Sequence, residues 1–265
     1  MSLSHLAADS LVIARRNLEH VRQIPEKLLD VTLQPIMFTL LFAYVFGGVI
    51  AVPGGGYREY LIGGILVQSL GFGLMGPAVS IATDLREGVV DRFRSLPMAR
   101  SAYLVGHVIA ELAALALSAV ILSISGVIVG WGIYSDVPHA IAGYALVMLF
   151  AFSMLWVGTW LGIKVRSPDA AQGMVFMTIF PLTFVATTFV PLTGFHGVLY
   201  QLVAWNPVST LAAAIRTLFG NPTAMPPDAP WPLQHCVPVS FAWCIAIMAI
   251  TMPLAIRAYR QRTTG

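Results

Sequence analysis

The chain has 265 residues, of which 57% are hydrophobic and only 10% charged, against roughly 25% charged in an ordinary soluble domain. With a mean hydropathy of +0.79, this composition excludes a water-soluble enzyme and a disordered or fibrous chain. What remains is a polytopic membrane protein. A net charge of +3 and a pI near 9.0 fit loops facing anionic lipid, and point away from nucleic acid.

Residues 3–23 read as an amphipathic helix lying on the membrane surface. Leu11, Ala14, Leu18 and Val21 follow helical spacing, with Arg15, Arg16, Glu19, Arg22 and Gln23 on the rest of the wheel. Arg15 and Arg16 interrupt any apolar run that would make a cleavable signal, so the first span is expected to serve as the targeting signal.

A helical span needs about 20 largely apolar residues. Stretches free of Asp, Glu, Lys and Arg run over 31–57, 60–83, 112–135, 137–163, 170–215 and 229–256. They predict spans near 29–51, 57–83, 102–133, 139–163, 169–192 and 236–258. Span 1 carries Phe38, Phe42 and Phe46 at i, i+4 and i+8, a stripe suited to facing lipid or packing, or to serving as a substrate path, for sugars among others. Span 2 is rich in glycine (Gly63, Gly64, Gly71, Gly73, Gly76), as close helix packing in lipid requires. Span 3 contains His107 and Glu111 on one helical face. A carboxylate in a span is costly and is expected to be partnered; His107 is its nearest candidate in sequence. Two such ligands are too few for zinc, so no metal site is expected.

Of the fifteen Lys and Arg residues, thirteen fall on one side of a six-span arrangement: four before span 1, four between spans 2 and 3, two between spans 4 and 5 and three after span 6. The positive-inside rule then places both termini in the cytoplasm. Only Arg58 and Arg216 lie elsewhere. Residues 195–220, interrupted by Asn206-Pro207, are expected to be an external re-entrant segment that does not cross. The six prolines within 221–238 predict a rigid loop without secondary structure.

The chain has no GxxxxGK[ST], no H-E-x-x-H and no G-x-S-x-G; its only lysines, Lys27 and Lys164, do not follow glycine. No catalytic residue is assigned, and ATP chemistry must come from elsewhere. The most informative segment is Asp84–Arg100, DLREGVVDRFRSLPMAR. Leu85, Val89, Phe93 and Leu96 fall within one arc of a helix, Arg86, Glu87, Asp91 and Arg94 lie mainly elsewhere beside Arg92, and Pro97 stops it. Such an amphipathic helix over 84–97 is suited to seating an apolar ridge in a partner's groove.

Two motifs carry a family resemblance. DLREGVVDRFRSLPMARSAYLVGHV at 84–108 resembles the cytoplasmic segment of the ABC-2 type permeases, and of the daunorubicin/doxorubicin-resistance group most closely. FVPLTGFHGVLYQLVAWNPVSTLAAAIRTLFG at 189–220 resembles their external re-entrant region. The importers' coupling loop is a poorer match, because Glu87 is followed at once by Gly88 and not by Ala-Ala. The resemblance implies an all-α membrane domain over 1–265 with six spans: an interfacial helix at 1–27, spans 1–5 over 28–193, an external re-entrant region and loop at 194–235, span 6 at 236–258 and a cytoplasmic tail at 259–265. It implies a subunit of the bacterial plasma membrane that exports hydrophobic drugs or lipids. Two separate nucleotide-binding subunits, which hold the ATP and Mg, and a second permease copy or paralogue would be its partners, with membrane lipid around it. The coupling residues implied are Asp84, Leu85, Arg86, Glu87, Val89, Asp91, Arg92, Phe93, Arg94, Leu96 and Pro97. A glycan exporter, or an intramembrane enzyme using His107 and Glu111, are the alternatives left open by sequence.

Overall fold

The computed structural model describes residues 25–47, 50–88 and 102–264, and these are helices joined by short connections without strands among the described residues. The interfacial helix expected at 3–23 lies outside them. In chain order the main helices are α1 (Pro25–Val45), α2 (Tyr57–Phe72), α3 (Met75–Arg86), α4 (Ala102–Val129), α5 (Val137–Lys164) and α6 (Pro168–Phe184). A 3-10 turn at Leu192–Gly194 leads to α7 (Val198–Trp205), α8 (Pro207–Phe219), the single turn α9 (Trp231–Gln234) and α10 (Cys236–Thr264).

Among the described residues, four segments are long and apolar enough to cross a membrane: Tyr57–Arg86, Tyr103–Val129, Val137–Lys164 and Cys236–Arg262. A fifth results if α7 and α8, bent by 63° at Asn206, count as one span. α1 has 21 residues and α6 has 17, which at 1.5 Å per residue covers about 26 Å. α6 therefore stops short of the expected end at residue 192. The reason is local: the backbone of Thr187 and Thr188 is bonded to Ser209 and Arg216 instead of continuing the helix.

The span expected at 57–83 is one apolar stretch with a break. Near Gly73 the bonds shorten to i→i−3: Gly73 N–H donates to Leu70 O, Leu74 to Gly71 O and Gly76 to Gly73 O. The second half, α3, runs on to Arg86. Glu87 caps it, and Gly88 turns at φ +68°, a left-handed conformation natural to glycine. Asp84, Leu85 and Arg86 are thus the last turn of this span and not the start of a separate helix over 84–97. The loop expected over 221–238 is also corrected: Pro232 sits in the first turn of α9, where its missing N–H costs nothing, and α10 begins at Cys236.

α5 is central, with α10 along one side and α3 against the other. Glycine permits the second contact. A Cβ on Gly158 would meet Leu74 O at 2.0 Å, and one on Gly162 would meet Ala78 O at 2.5 Å, so the backbones touch with no side chain between them. Such small-residue seams are what holds helices together where lipid removes the hydrophobic incentive.

Contacts sort the connections into two ends. At one end α3, α5 and α10 finish with Arg86, Lys164 and Arg262, and Arg262 donates to Val165 O at 3.2 Å. At the other lie Arg58, whose guanidinium sits 5.2 Å from the Tyr44 ring, the Tyr134–Glu59 bond of 3.1 Å and Asn221, which accepts from Trp131 Nε1 at 2.8 Å. Arg86, Lys164 and Arg262 thus share one end of the described helices, the basic end.

Candidate functional site

At the basic end the last turn of α3 meets the first turns of α4. Tyr103 donates its hydroxyl to Asp84 Oδ2 at 2.6 Å, and His107 Nε2 lies 3.4 Å from the same oxygen. The other imidazole nitrogen, Nδ1, lies 3.5 Å from Ser80 Oγ. Tyr103 packs edge-on to His107 and stacks on Tyr259 of α10 at 5.7 Å. The partner of His107 is therefore across the helix pair, on α3, and not only along its own helix. Glu111, half-buried, faces α3 one turn further in. Its carboxylate lies against Gly76, where a Cβ would fall 2.6 Å from Oε2; glycine there leaves room for the carboxylate. Of the sequence-derived coupling residues, Asp84, Leu85 and Arg86 sit on α3 and Glu87 caps it. Val89, Asp91, Arg92, Phe93, Arg94, Leu96 and Pro97 lie outside the described residues.

The phenylalanine stripe of α1 is half-buried. Phe38 stacks on Phe42 at 5.8 Å and Phe42 on Phe46 at 5.2 Å. Phe42 also stacks on Phe189 at 4.2 Å, Phe189 leans on Phe184 at 5.6 Å, and Phe184 stacks on Phe180 at 4.1 Å. The stripe is thus one side of a continuous aromatic run shared between α1, α6 and the chain following α6. Phe180 and Phe184 keep 50% and 38% of their surface exposed.

The second motif builds a polar knot. Asn206 caps α8, its Oδ1 accepting from Val208 N–H at 2.8 Å, while its Nδ2 donates to Leu182 O at 2.8 Å and Val185 O at 2.7 Å. Pro207 starts α8, and Ser209 Oγ accepts from Thr187 N–H at 3.0 Å. One turn short of the end of α8, Arg216 is wholly buried. Nε donates to Tyr60 O at 2.8 Å, Nη2 to Thr188 O at 3.0 Å, and the guanidinium lies 3.4 Å over the Tyr60 ring. Tyr60 donates onward to Thr187 O at 2.7 Å. Its helix turns Gly63 and Gly64 toward the knot; a Cβ on Gly64 would strike Thr188 O at 2.1 Å. Sequence reasoning noticed Arg216 as an exception to the charge pattern and not as a pin. A lone arginine in an apolar run beside an Asn-Pro was the available signal.

Outside the spans, two exposed groups are shifted. The hydrogen bond to Glu59 raises the Tyr134 phenol above its ordinary value, because the carboxylate accepts from the neutral hydroxyl. The hydrogen bond from His139 lowers the Asp136 carboxyl; the two are direct partners across one turn.

The chain is similar to known transport proteins. The model of the ABC-2 type transporter family matches residues 10–219. Over 241 residues, 91% of the chain and 82% of the relative, it is 27% identical to the daunorubicin resistance ABC transporter permease protein DrrB1 of Streptomyces coeruleorubidus. It is 23% identical to the doxorubicin resistance ABC transporter permease protein DrrB of Mycobacterium tuberculosis, over 81% of the chain and 73% of the relative.

Proposed function

The chain belongs to the ABC-2 type transporter family, and on that premise we propose that it is the membrane-spanning permease subunit of an ATP-driven exporter of hydrophobic drugs. The observation that carries this reading is a match to a daunorubicin-resistance permease across nine-tenths of the chain. Lipids are the neighbouring substrate class, since an apolar drug and an acyl chain present the same surface to an aromatic run.

ATP and Mg belong to separate nucleotide-binding subunits, because the sequence has no phosphate-binding loop of its own. Those subunits dock at the basic end, on the segment from Glu87 to Pro97, with Phe93 as its apolar anchor and Arg92 and Arg94 setting orientation. A second permease copy or paralogue completes the unit. Exposed apolar faces of α1 and α6, including Met37, Leu41, Met177 and Phe180, suit such a neighbour or lipid. The aromatic run around Phe38, Phe42 and Phe46 supplies stacking surfaces for a planar substrate between these faces.

The chain sits in the bacterial plasma membrane as six spans, α1, α2–α3, α4, α5, α6 and α10, with the basic end and both termini in the cytoplasm. α7 and α8 form a re-entrant segment at the outer face. Its backbone inside the apolar zone is supported by Asn206, Ser209 and Arg216, as irregular backbone at that depth requires. The test is co-expression with a candidate ABC-type ATPase subunit from the same source. A stable complex whose ATP hydrolysis rises with anthracycline-like drugs or lipids supports the reading; stimulation by glycans alone would move the chain to the glycan exporters.

A further inference from the structure

The two ends of the cytoplasmic segment are joined by side chains. α3 leaves the membrane domain at Arg86 and α4 re-enters it at Ala102. Asp84 lies in the last turn before the exit, Tyr103 and His107 in the first two turns after the return, and they bond to one another as described. His107 reaches two positions one turn apart on α3, Ser80 with Nδ1 and Asp84 with Nε2. A rigid ring spanning i and i+4 of a neighbouring helix fixes the axial register of the two helices. α3 packs chiefly against α5 and α6, and much less against α4. Close backbone contact between α3 and α4 is therefore sparse, and the polar cluster is a side-chain link across it. Tyr103 and His107 are buried, while the Asp84 side chain keeps 19% of its surface exposed. Tyr103 extends the contact to Tyr259 on α10.

We propose that Asp84, Tyr103 and His107 form a latch that clamps the exit and the return of the cytoplasmic segment, so that force from the ATPase moves α3 and α4 as one body. This rests on the permease reading above. The three are positioning residues: none needs to touch ATPase or substrate. Apolar helix surfaces in lipid slide past one another at little cost, whereas hydrogen bonds of fixed direction resist sliding until they break. Without the latch a pull on the segment would spread its two ends and dissipate as local bending. A conformational change is driven only by contacts that differ between states.

The experiment uses the full chain reconstituted with its ATPase, comparing wild type, Tyr103→Phe and His107→Gln. Tyr103→Phe removes one hydroxyl and keeps the stack on Tyr259; His107→Gln removes the ring that spans α3. ATPase co-purification, basal hydrolysis and substrate exported per ATP are measured together. The latch predicts unchanged co-purification and basal hydrolysis in both variants, with export per ATP reduced by about fivefold or more, the scale of a typical coupling between sites. Adding Asp84→Leu to Tyr103→Phe should lower export per ATP further, because Asp84 also faces His107, but by less than the two single effects combined, since they share the Tyr103–Asp84 bond. Unchanged export per ATP in both single variants overturns the proposal. So does loss of inserted protein or of ATPase association in both, which would make the cluster a fold staple. A wild-type complex without ATP-driven export would instead strike at the permease reading itself.

Discussion

Removing Arg216 tests whether the outer knot is held by one buried cation. Arg216→Ala deletes two charge-assisted hydrogen bonds, to Tyr60 O and Thr188 O, and the stack on Tyr60. In water-soluble proteins bonds to a charged group contribute about 1.5–3 kcal/mol each, but polar contacts between membrane helices average nearer 0.6 and reach about 2 kcal/mol. A desolvated cation–π contact contributes about 2 kcal/mol, and the emptied volume adds a cavity cost. Against these stands relief of the desolvation of a buried guanidinium, several kcal/mol. The Tyr60 carbonyl lies inside α2, whereas the Thr188 carbonyl lies outside any helix and loses its donor outright. The net expectation is a loss of about 2–4 kcal/mol, read as a lower melting temperature of the detergent-solubilised permease. Arg216→Met, which refills the volume without charge, should be less harmful than alanine. Arg216→Lys should fall between, because a point charge on a flexible stem cannot fork to both carbonyls and stack at once. An alanine variant as stable as the parent would refute the pin.

Asn206→Ala should cost about 1–3 kcal/mol, since it removes a helix cap together with the donors to Leu182 O and Val185 O; Asn206→Ser, keeping only the cap, should recover part of that in the same melting assay. Phe93→Ala is expected to weaken ATPase co-purification by about 2 kcal/mol, roughly 30-fold, if it is the interface anchor, with membrane insertion unchanged; full association would exclude that role. Because Tyr134 must stay protonated to donate to Glu59, its contact is complete below the ordinary phenol value of about 10 and is lost as pH rises through the raised value. The difference in phenolate absorbance between the parent and Tyr134→Phe should therefore titrate above 10, and a midpoint at 10 would show the bond to be absent in solution. Single cysteines at Thr193, Asn221 and Gly265 should be labelled from outside, outside and inside respectively, and outside labelling at Gly265 would sink the six-span orientation.

The helical membrane class was legible because charge is nearly absent from long stretches, and that is a property of composition. The starts of α4, α5 and α10 fall within a few residues of the spans predicted at 102–133, 139–163 and 236–258. What periodicity could not reveal was where a helix stops inside an apolar run. α6 ends near Phe184 because Ser209 and Arg216, more than twenty residues further on, take the backbone that follows. Likewise the break near Gly73 is a matter of local hydrogen-bond geometry that an apolar window averages away. The amphipathic pattern over 84–97 was read as one helix, yet Gly88 at φ +68° ends α3 first; a single glycine in a wheel diagram carries too little weight. At the candidate site, Glu111 is the group that sequence expects to be partnered, with His107 offered for it, while the structure shows His107 turned to α3. The contact of His107 with Asp84 lies across the helix pair, where i, i+4 arithmetic along one helix does not look.

The central claim is that this chain moves substrate outward on energy supplied by another subunit. Proteoliposomes carrying the permease and its partner ATPase, inside-out and loaded with ATP and Mg outside, measure it directly. Uptake of a fluorescent hydrophobic drug is followed over time, and the same vesicles are made with an ATPase lacking its catalytic glutamate. The account predicts accumulation that requires both subunits and ATP, and that stops with the inactive ATPase. Drug accumulation by the permease alone, at the same rate with or without ATP, would contradict it.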